Sequence, residues 1–345
     1  MHHIRNQKRL ENMSMPEPAE RIITFSQAVN EALAEEMRRE KTVFIIGEDV
    51  AEAGTPFKVL SGLVEEFGTE RVLDSPISES GFTGIGVGTA MTGMRPVVDI
   101  MFGDFMTITM DQIVNQAAKI HYMSGGKLKV PMVVRTNLGA SRRSAAQHSQ
   151  SLHVWLSHIP GLKVVLPSTP YDAKGLLKTA IRDDNPVVIF EDKMMFQDKG
   201  IVPEDDYTIP FGVADIKKEG TDITLIGTSS MVQIALEAAD ILAEKDISVE
   251  VIDPRTVMPL DKKTLIDSAI KTSRVIVIDE GYDSYGVTAE IASVIAEGAF
   301  YHLEAPVKRI GSMDVPIPFS PVLEDLTVPN AGIVVEMAEK LFAAS

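Results

Sequence analysis

Over residues 22–39 the apolar side chains fall at Phe25, Ala28, Val29, Ala32 and Leu33, a stripe at helical spacing that predicts one amphipathic helix. The next apolar block has a different rhythm. Thr42-Val43-Phe44-Ile45-Ile46 is a short, fully apolar run that stops at Gly47-Glu48-Asp49, as a strand buried on both faces does. Similar runs recur at Val97-Val98-Asp99-Ile100-Met101, Pro131-Met132-Val133-Val134, Lys163-Val164-Val165-Leu166 and Pro186-Val187-Val188-Ile189-Phe190, with helical stretches between them. That alternation predicts a parallel sheet covered on both faces. Ligands of such sheets bind beyond the carboxyl ends of the strands. The pattern puts Glu48, Asp104 and Arg135 just past strand ends.

From Gln197 to Phe211 the chain is rich in Asp, Glu, Gly and Pro and loses periodicity, which predicts a linker. A second, smaller α/β unit follows. Its expected strands are Asp222-Ile223-Thr224-Leu225-Ile226-Gly227, Val249-Glu250-Val251-Ile252 and Arg274-Val275-Ile276-Val277-Ile278, with a helix over 231–245. The fold class is therefore α/β with two parallel-sheet domains, divided as 1–20 extension, 21–200 first domain, 201–215 linker and 216–345 second domain.

The 345 residues are 45% hydrophobic, enough to bury the cores of two domains. Thirty-three Lys and Arg against 49 Asp and Glu give a net charge of −16, which argues against nucleic acid or an anionic membrane as partner. A basic protein surface is the natural complement. The absence of cysteine excludes disulfides, thiolate nucleophiles and Cys-ligated zinc, and fits a reducing compartment. No apolar run approaches a membrane span, and residues 1–20 lack the apolar stretch of a secretory signal, so a cytoplasmic protein is expected. That polar segment reads as a disordered extension, with Met13 and Met15 as alternative starts and His2 and His3 as tag-like residues.

Several chemistries are absent. Gly84-Ile85-Gly86-Val87-Gly88 does not complete a dinucleotide-binding loop and lies inside an apolar helical run; Gly81, Gly84, Gly88 and Gly93 are expected to let another helix approach closely. There is no G-x-S-x-G, Walker loop or H-E-x-x-H. His153 and His158, near Trp155, are expected to be packed or surface histidines. Glu79 follows Ser78, a candidate cap with Ser80, and a carboxylate in a first helical turn ordinarily offsets the helix dipole. His148 lies on the polar turn Gln147-His148-Ser149-Gln150. Local pattern assigns neither residue a role.

Ordered blocks along the chain do. They are Gly47-Glu48-Asp49-Val50, Pro76-Ile77-Ser78-Glu79, Asp111-Gln112-Ile113-Val114-Asn115-Gln116-Ala117-Ala118-Lys119, Tyr122-Met123-Ser124-Gly125-Gly126, Gln147-His148-Ser149-Gln150, Pro160-Gly161-Leu162-Lys163-Val164-Val165 and Asp172-Ala173-Lys174-Gly175-Leu176-Leu177. With them the chain, from about residue 24 to about residue 335, resembles the β-subunit of the thiamine-diphosphate-dependent E1 component of 2-oxoacid dehydrogenase complexes. The resemblance implies a transketolase-type pyrimidine-binding domain before the linker and a transketolase C-terminal domain after it. It implies that Glu79 faces N1′ of the cofactor's aminopyrimidine, that Phe105 stacks on that ring, and that Ile77 and Glu48 line the same pocket. His148 is placed by it near the thiazolium C2, suited to moving protons on the substrate-derived hydroxyl.

The family holds Mg²⁺ and pyrophosphate with a Gly-Asp-Gly run and a later Asn-Asn, and this sequence has neither. The resemblance therefore implies an E1 α-subunit that supplies them in an α2β2 assembly, and a lipoylated E2 acyltransferase that receives the two-carbon unit. It also implies a potassium site at the end of a helix, using carbonyls of Met132, Ala180, Ile181, Asp183 and Asn185 together with the Asp183 side chain; without it, the 180–185 turn is a helix C-cap. The run 316–329 is most like acetoin dehydrogenases, with pyruvate as second choice and branched-chain 2-oxoacids less favoured. Ser141-Arg142-Arg143 departs from the pyruvate pattern of small residues. A stand-alone transketolase-like enzyme and a non-catalytic scaffold subunit are the competing classes.

Overall fold

A computed structural model describes residues 21–343; the expected N-terminal extension lies outside them. The first unit is built on a seven-stranded sheet. Its order is Thr256–Met258, Lys163–Val165, Val187–Asp192, Val133–Leu138, Arg95–Ile100, Val43–Gly47, Val72–Asp74. Every neighbouring pair is parallel except the edge strand Thr256–Met258, which runs antiparallel to Lys163–Val165. That edge strand belongs, by sequence, to the second unit. No local pattern announces it, because its only support is a long-range ladder.

Adjacent residues of each strand serve opposite faces. Ile45, Val97, Val133 and Ile189 pack under the helices Phe25–Arg39 and Pro170–Arg182, while Ile46, Val98, Val134 and Val188 pack on the other side beside Phe82 of the helix Glu79–Met91. Gly86 sets the closeness of that last contact: a Cβ there would lie 2.5 Å from Val98 Cγ2 and 3.1 Å from Met132 Sδ. Within this chain the other glycines of the segment make fewer close contacts. Among the described residues Gly88 and Gly93 face nothing within 4 Å, Gly81 meets only Ser78, and Gly84 alone approaches another helical segment, at 3.8 Å from Gln112 Cγ.

Two further expectations are revised. The helix starts at Phe25 rather than at residue 22, because Thr24 and Gln27 form a reciprocal capping box (Gln27 N–H to Thr24 Oγ1 3.2 Å, Thr24 N–H to Gln27 Oε1 2.8 Å). Ile22–Thr24 instead pairs antiparallel with Lys199–Ile201, so the expected linker contains a strand. The second unit is a five-stranded sheet in the order Lys308–Ser312, Val275–Tyr282, Ile223–Gly227, Val249–Asp253, Asp215–Lys218, parallel except for the last pair. One apolar cluster runs from Phe82 and Phe190 of the first unit to Ile252, Val277 and Ile291 of the second, so the two share a core. No helix of the described residues is long and apolar enough to cross a membrane.

Candidate active site

Four neighbouring strands of the first sheet end side by side, in the order Val133–Leu138, Arg95–Ile100, Val43–Gly47, Val72–Asp74. The segments leaving their carboxyl ends carry His148, Phe105, Glu48 and Glu79 respectively. Parallel topology thus gathers along one sheet edge residues up to 100 positions apart in sequence. Arg135 is not one of them. It lies inside the strand Val133–Leu138, where its guanidinium is buried against Glu191 (2.7 and 2.6 Å) and Asp99. It belongs to a buried ion triad of three adjacent strands.

Glu79 opens the helix Glu79–Met91 from the N-cap Ser78, whose hydroxyl makes no capping bond. The residue is only 7% exposed, and among the described residues no hydrogen bond or ion pair engages its carboxylate. A carboxylate near a helix N-terminus gains from the dipole, yet burial without a partner is costly. Glu48 lies close enough to feel it: burial first, then the Glu79 and Asp49 charges, push the Glu48 carboxyl above its usual range. Ile77 beside them is 77% exposed, a large apolar side chain left uncovered by this chain. Two facing acids with no cation of their own suit a ligand that is protonated or carries positive charge.

His148 is half-buried in an aromatic cluster. Its ring lies edge-on to Phe102, with centroids 4.7 Å apart, and to Phe105, at 5.3 Å; Phe102 and Phe105 are 5.7 Å apart, and Phe57 adds a fourth ring, 5.9 Å from Phe102. Two buried groups fix this arrangement. Asp104 Oδ1 accepts from Gln150 N–H at 3.2 Å and Nε2 at 2.9 Å, tying the histidine loop to the turn that bears Phe105. Lys193 donates to the His148 carbonyl, its ammonium drawn below the usual lysine range by burial despite neighbouring carboxylates. Asp104 was visible in sequence as a strand-end acid; Phe102, Lys193 and the role of Gln150 were not, since nothing local distinguishes them.

The two histidines near Trp155 separate cleanly. His153 is buried with Nε2 3.1 Å from Asp279 Oδ2 of the second sheet, whereas His158 is exposed. A cleft of about 550 Å³ beside them, lined by Gln150, His153, Trp155, Asp279 and Tyr282, contains none of Glu48, Glu79, Phe105 or His148.

Ala180, Ile181, Asp183 and Asn185 do sit together at the end of the helix Pro170–Arg182, with Met132 on the strand-side approach. Arg95 Nη1 donates to the Ile181 carbonyl at 3.0 Å and to that of Asp183 at 2.8 Å, while Lys163 pairs with the Asp183 carboxylate. Met132 O accepts from Val187 N–H at 3.0 Å and Ala180 O from Asp183 N–H at 3.2 Å. The cationic character expected at a helix C-terminus is supplied here by Arg95 and Lys163, which the sequence alone did not indicate.

Both units of the chain are similar to known proteins. The transketolase pyrimidine-binding domain matches residues 21–199 and the transketolase C-terminal domain residues 212–334. The β-subunit of acetoin:2,6-dichlorophenolindophenol oxidoreductase of Bacillus subtilis is 49% identical over 333 residues, covering 93% of this chain and 97% of that protein. The pyruvate dehydrogenase E1 component β-subunit of Rickettsia felis is 47% identical over 319 residues, covering 92% and 98%. Among solved structures, a split-gene transketolase described as an inactive β4 tetramer superposes with a TM-score of 0.74 at 22% identity, over 93% of this chain and 99% of that one, and so shares the fold. With full-length identity near one half and both domain models matched, the chain belongs to the transketolase-type E1 β-subunits of the acetoin and 2-oxoacid dehydrogenases.

Proposed function

We propose that this chain is the β half of a thiamine-diphosphate enzyme that cleaves acetoin and passes the two-carbon unit to the lipoyl group of an E2 component. The observation that carries it is the unpartnered, buried Glu79 carboxylate facing Glu48 at the sheet edge, on the same edge as Phe105 and His148. When bound, thiamine diphosphate supplies a nucleophilic carbon for attack on the substrate carbonyl. Glu79 would hold a proton at the pyrimidine nitrogen N1′, a task that requires a carboxyl rather than an amide. The Phe105 ring and the exposed Ile77 would cover the pyrimidine, with Glu48 beside them. His148 would take up the proton of the substrate hydroxyl and return it, a role that imidazoles are suited to near neutrality. The Mg²⁺ and pyrophosphate ligands would come from an α-subunit in an α2β2 assembly, in keeping with relatives that are themselves named as β-subunits. A potassium ion is proposed on the second lone pairs of the Met132, Ala180, Ile181, Asp183 and Asn185 carbonyls; a higher thermal midpoint in KCl than in NaCl would support it.

Acetoin and pyruvate make different demands. Acetoin offers a hydroxyl whose proton must leave as the C–C bond breaks, while pyruvate carries a carboxylate that departs as carbon dioxide. His148 serves the first directly, and the 49% match to an acetoin oxidoreductase agrees with it. Dye reduction by the reconstituted α/β enzyme with each substrate decides the matter. A higher kcat/KM for acetoin is expected; a higher value for pyruvate would reassign the substrate and leave Glu79 and His148 in place.

A further inference from the structure

The loop that carries His148 is strained and is held largely from the second unit. Ser141, Arg143 and Ala145 have φ of 66°, 57° and 58°, three left-handed non-glycine residues in five, after Gly139 at 99°. Such backbone persists only where its surroundings over-determine it. Here the surroundings are carboxylates. Glu280 Oε1 accepts from Ala140 N–H at 2.8 Å, and Glu324 Oε1 from Ser141 N–H at 2.7 Å. Arg143 Nη1 then donates to Glu324 Oε2 and to Asp325 Oδ1, each at 2.6 Å, with a weaker contact of Nη2 to Asp325 Oδ2 at 3.3 Å. The Glu324 side chain is fully buried, so this loop satisfies a charge that has no access to water. Beyond the clamp, Lys193 holds the His148 carbonyl and Asp104 closes the loop at Gln150.

We propose that Arg143 is a positioning residue for His148: locked onto Glu324 and Asp325, it fixes the strained backbone so that the imidazole stays edge-on to Phe102 and Phe105. This rests on His148 being the proton-handling group. It also connects the site to residues 316–329, a run far from His148 in sequence. Glu324 and Asp325 lie in that run and touch the histidine loop directly, giving the acetoin-like segment a physical route to the substrate pocket.

The test is a double-mutant cycle in the reconstituted α/β enzyme. Arg143→Gln should lower kcat about tenfold or more with KM changed by less than about twofold, the signature of a misplaced proton-transfer group. Amide hydrogen exchange should rise over 139–150 and stay unchanged in the strand Val133–Leu138, and Arg143→Lys should recover part of kcat. In a His148→Ala background the same substitution should cost nothing further, because the group it positions is gone. Should Arg143→Gln fail to assemble, Asp325→Asn removes the exposed side of the clamp and runs the same cycle. Additive losses, or wild-type kcat in the single variant, would overturn the role of Arg143. A His148→Ala enzyme with wild-type turnover would instead remove His148 from the mechanism, a failure of the underlying assignment and distinguishable from the first.

Discussion

Glu79→Gln isolates the proton-holding role most cleanly. Glutamine keeps the length and fills the same buried space at the start of the helix Glu79–Met91, so packing around Phe82 and Thr83 is preserved. Two things change. The amide cannot carry the proton shared with N1′, and Glu48 loses the Glu79 charge, the stronger of the two carboxylate charges acting on it, so the Glu48 carboxyl should titrate lower than in the wild type. Loss of a positioned acid–base group costs about 10²-fold or more, equivalent to about 2.7 kcal/mol in the barrier. The loss should appear in hydrogen–deuterium exchange at the thiazolium C2 of the bound cofactor, followed by quench and NMR in the α/β enzyme. Cofactor affinity should change only a few-fold, since ring stacking and the partner's phosphate ligands are untouched. Exchange at the wild-type rate would refute the role of Glu79, and an unmoved Glu48 titration would show that the two acids do not face one another.

Two further substitutions probe different links. His148→Ala should leave cofactor affinity nearly unchanged while turnover falls roughly 10²- to 10⁴-fold; normal turnover with poor assembly would mean that the ring only packs against Phe102 and Phe105. Asp253, buried in the second sheet, has its carboxyl pushed up to about 6 by burial and then by the Asp172 charge, against the pull of Lys217. A carboxyl raised on folding stabilises the fold fully below its ordinary pKa and loses that contribution as pH rises through the folded value. The difference in urea midpoint between wild type and Asp253→Asn should therefore fall from about pH 4 to about pH 7, and a pH-independent difference would count against the buried, raised carboxyl.

The central strands were legible because their apolar runs are long and sharply bounded, and a two-face burial pattern leaves little else they can form. The helix start was misplaced although its signal was present: Thr24 and Gln27 are spaced as a capping box, but the apolar stripe extends across it. Thr256–Met258 and Lys199–Ile201 are three-residue strands whose support comes from distant partners, so no window could reveal them. Arg135 ended an apolar run and looked like a strand terminus; its neutralising partners Asp99 and Glu191 sit on the two flanking strands and appear only once the sheet is assembled. At the candidate site, Glu79 and His148 are proposed on family resemblance, since a first-turn acid and a turn histidine have ordinary local explanations. The groups that hold the histidine loop, Glu280 and Glu324, lie 140 and 183 positions from the amides they bind. Only the folded chain brings them there.

The proposed function requires that this chain contribute one half of a shared site. Calorimetric titration of thiamine diphosphate with Mg²⁺ into the purified chain, and then into the same chain co-purified with an E1 α-subunit, measures it. The expected result is no detectable binding by the chain alone and saturable, Mg²⁺-dependent binding by the pair. Binding by the isolated chain at about micromolar affinity, or about −8 kcal/mol, would contradict it.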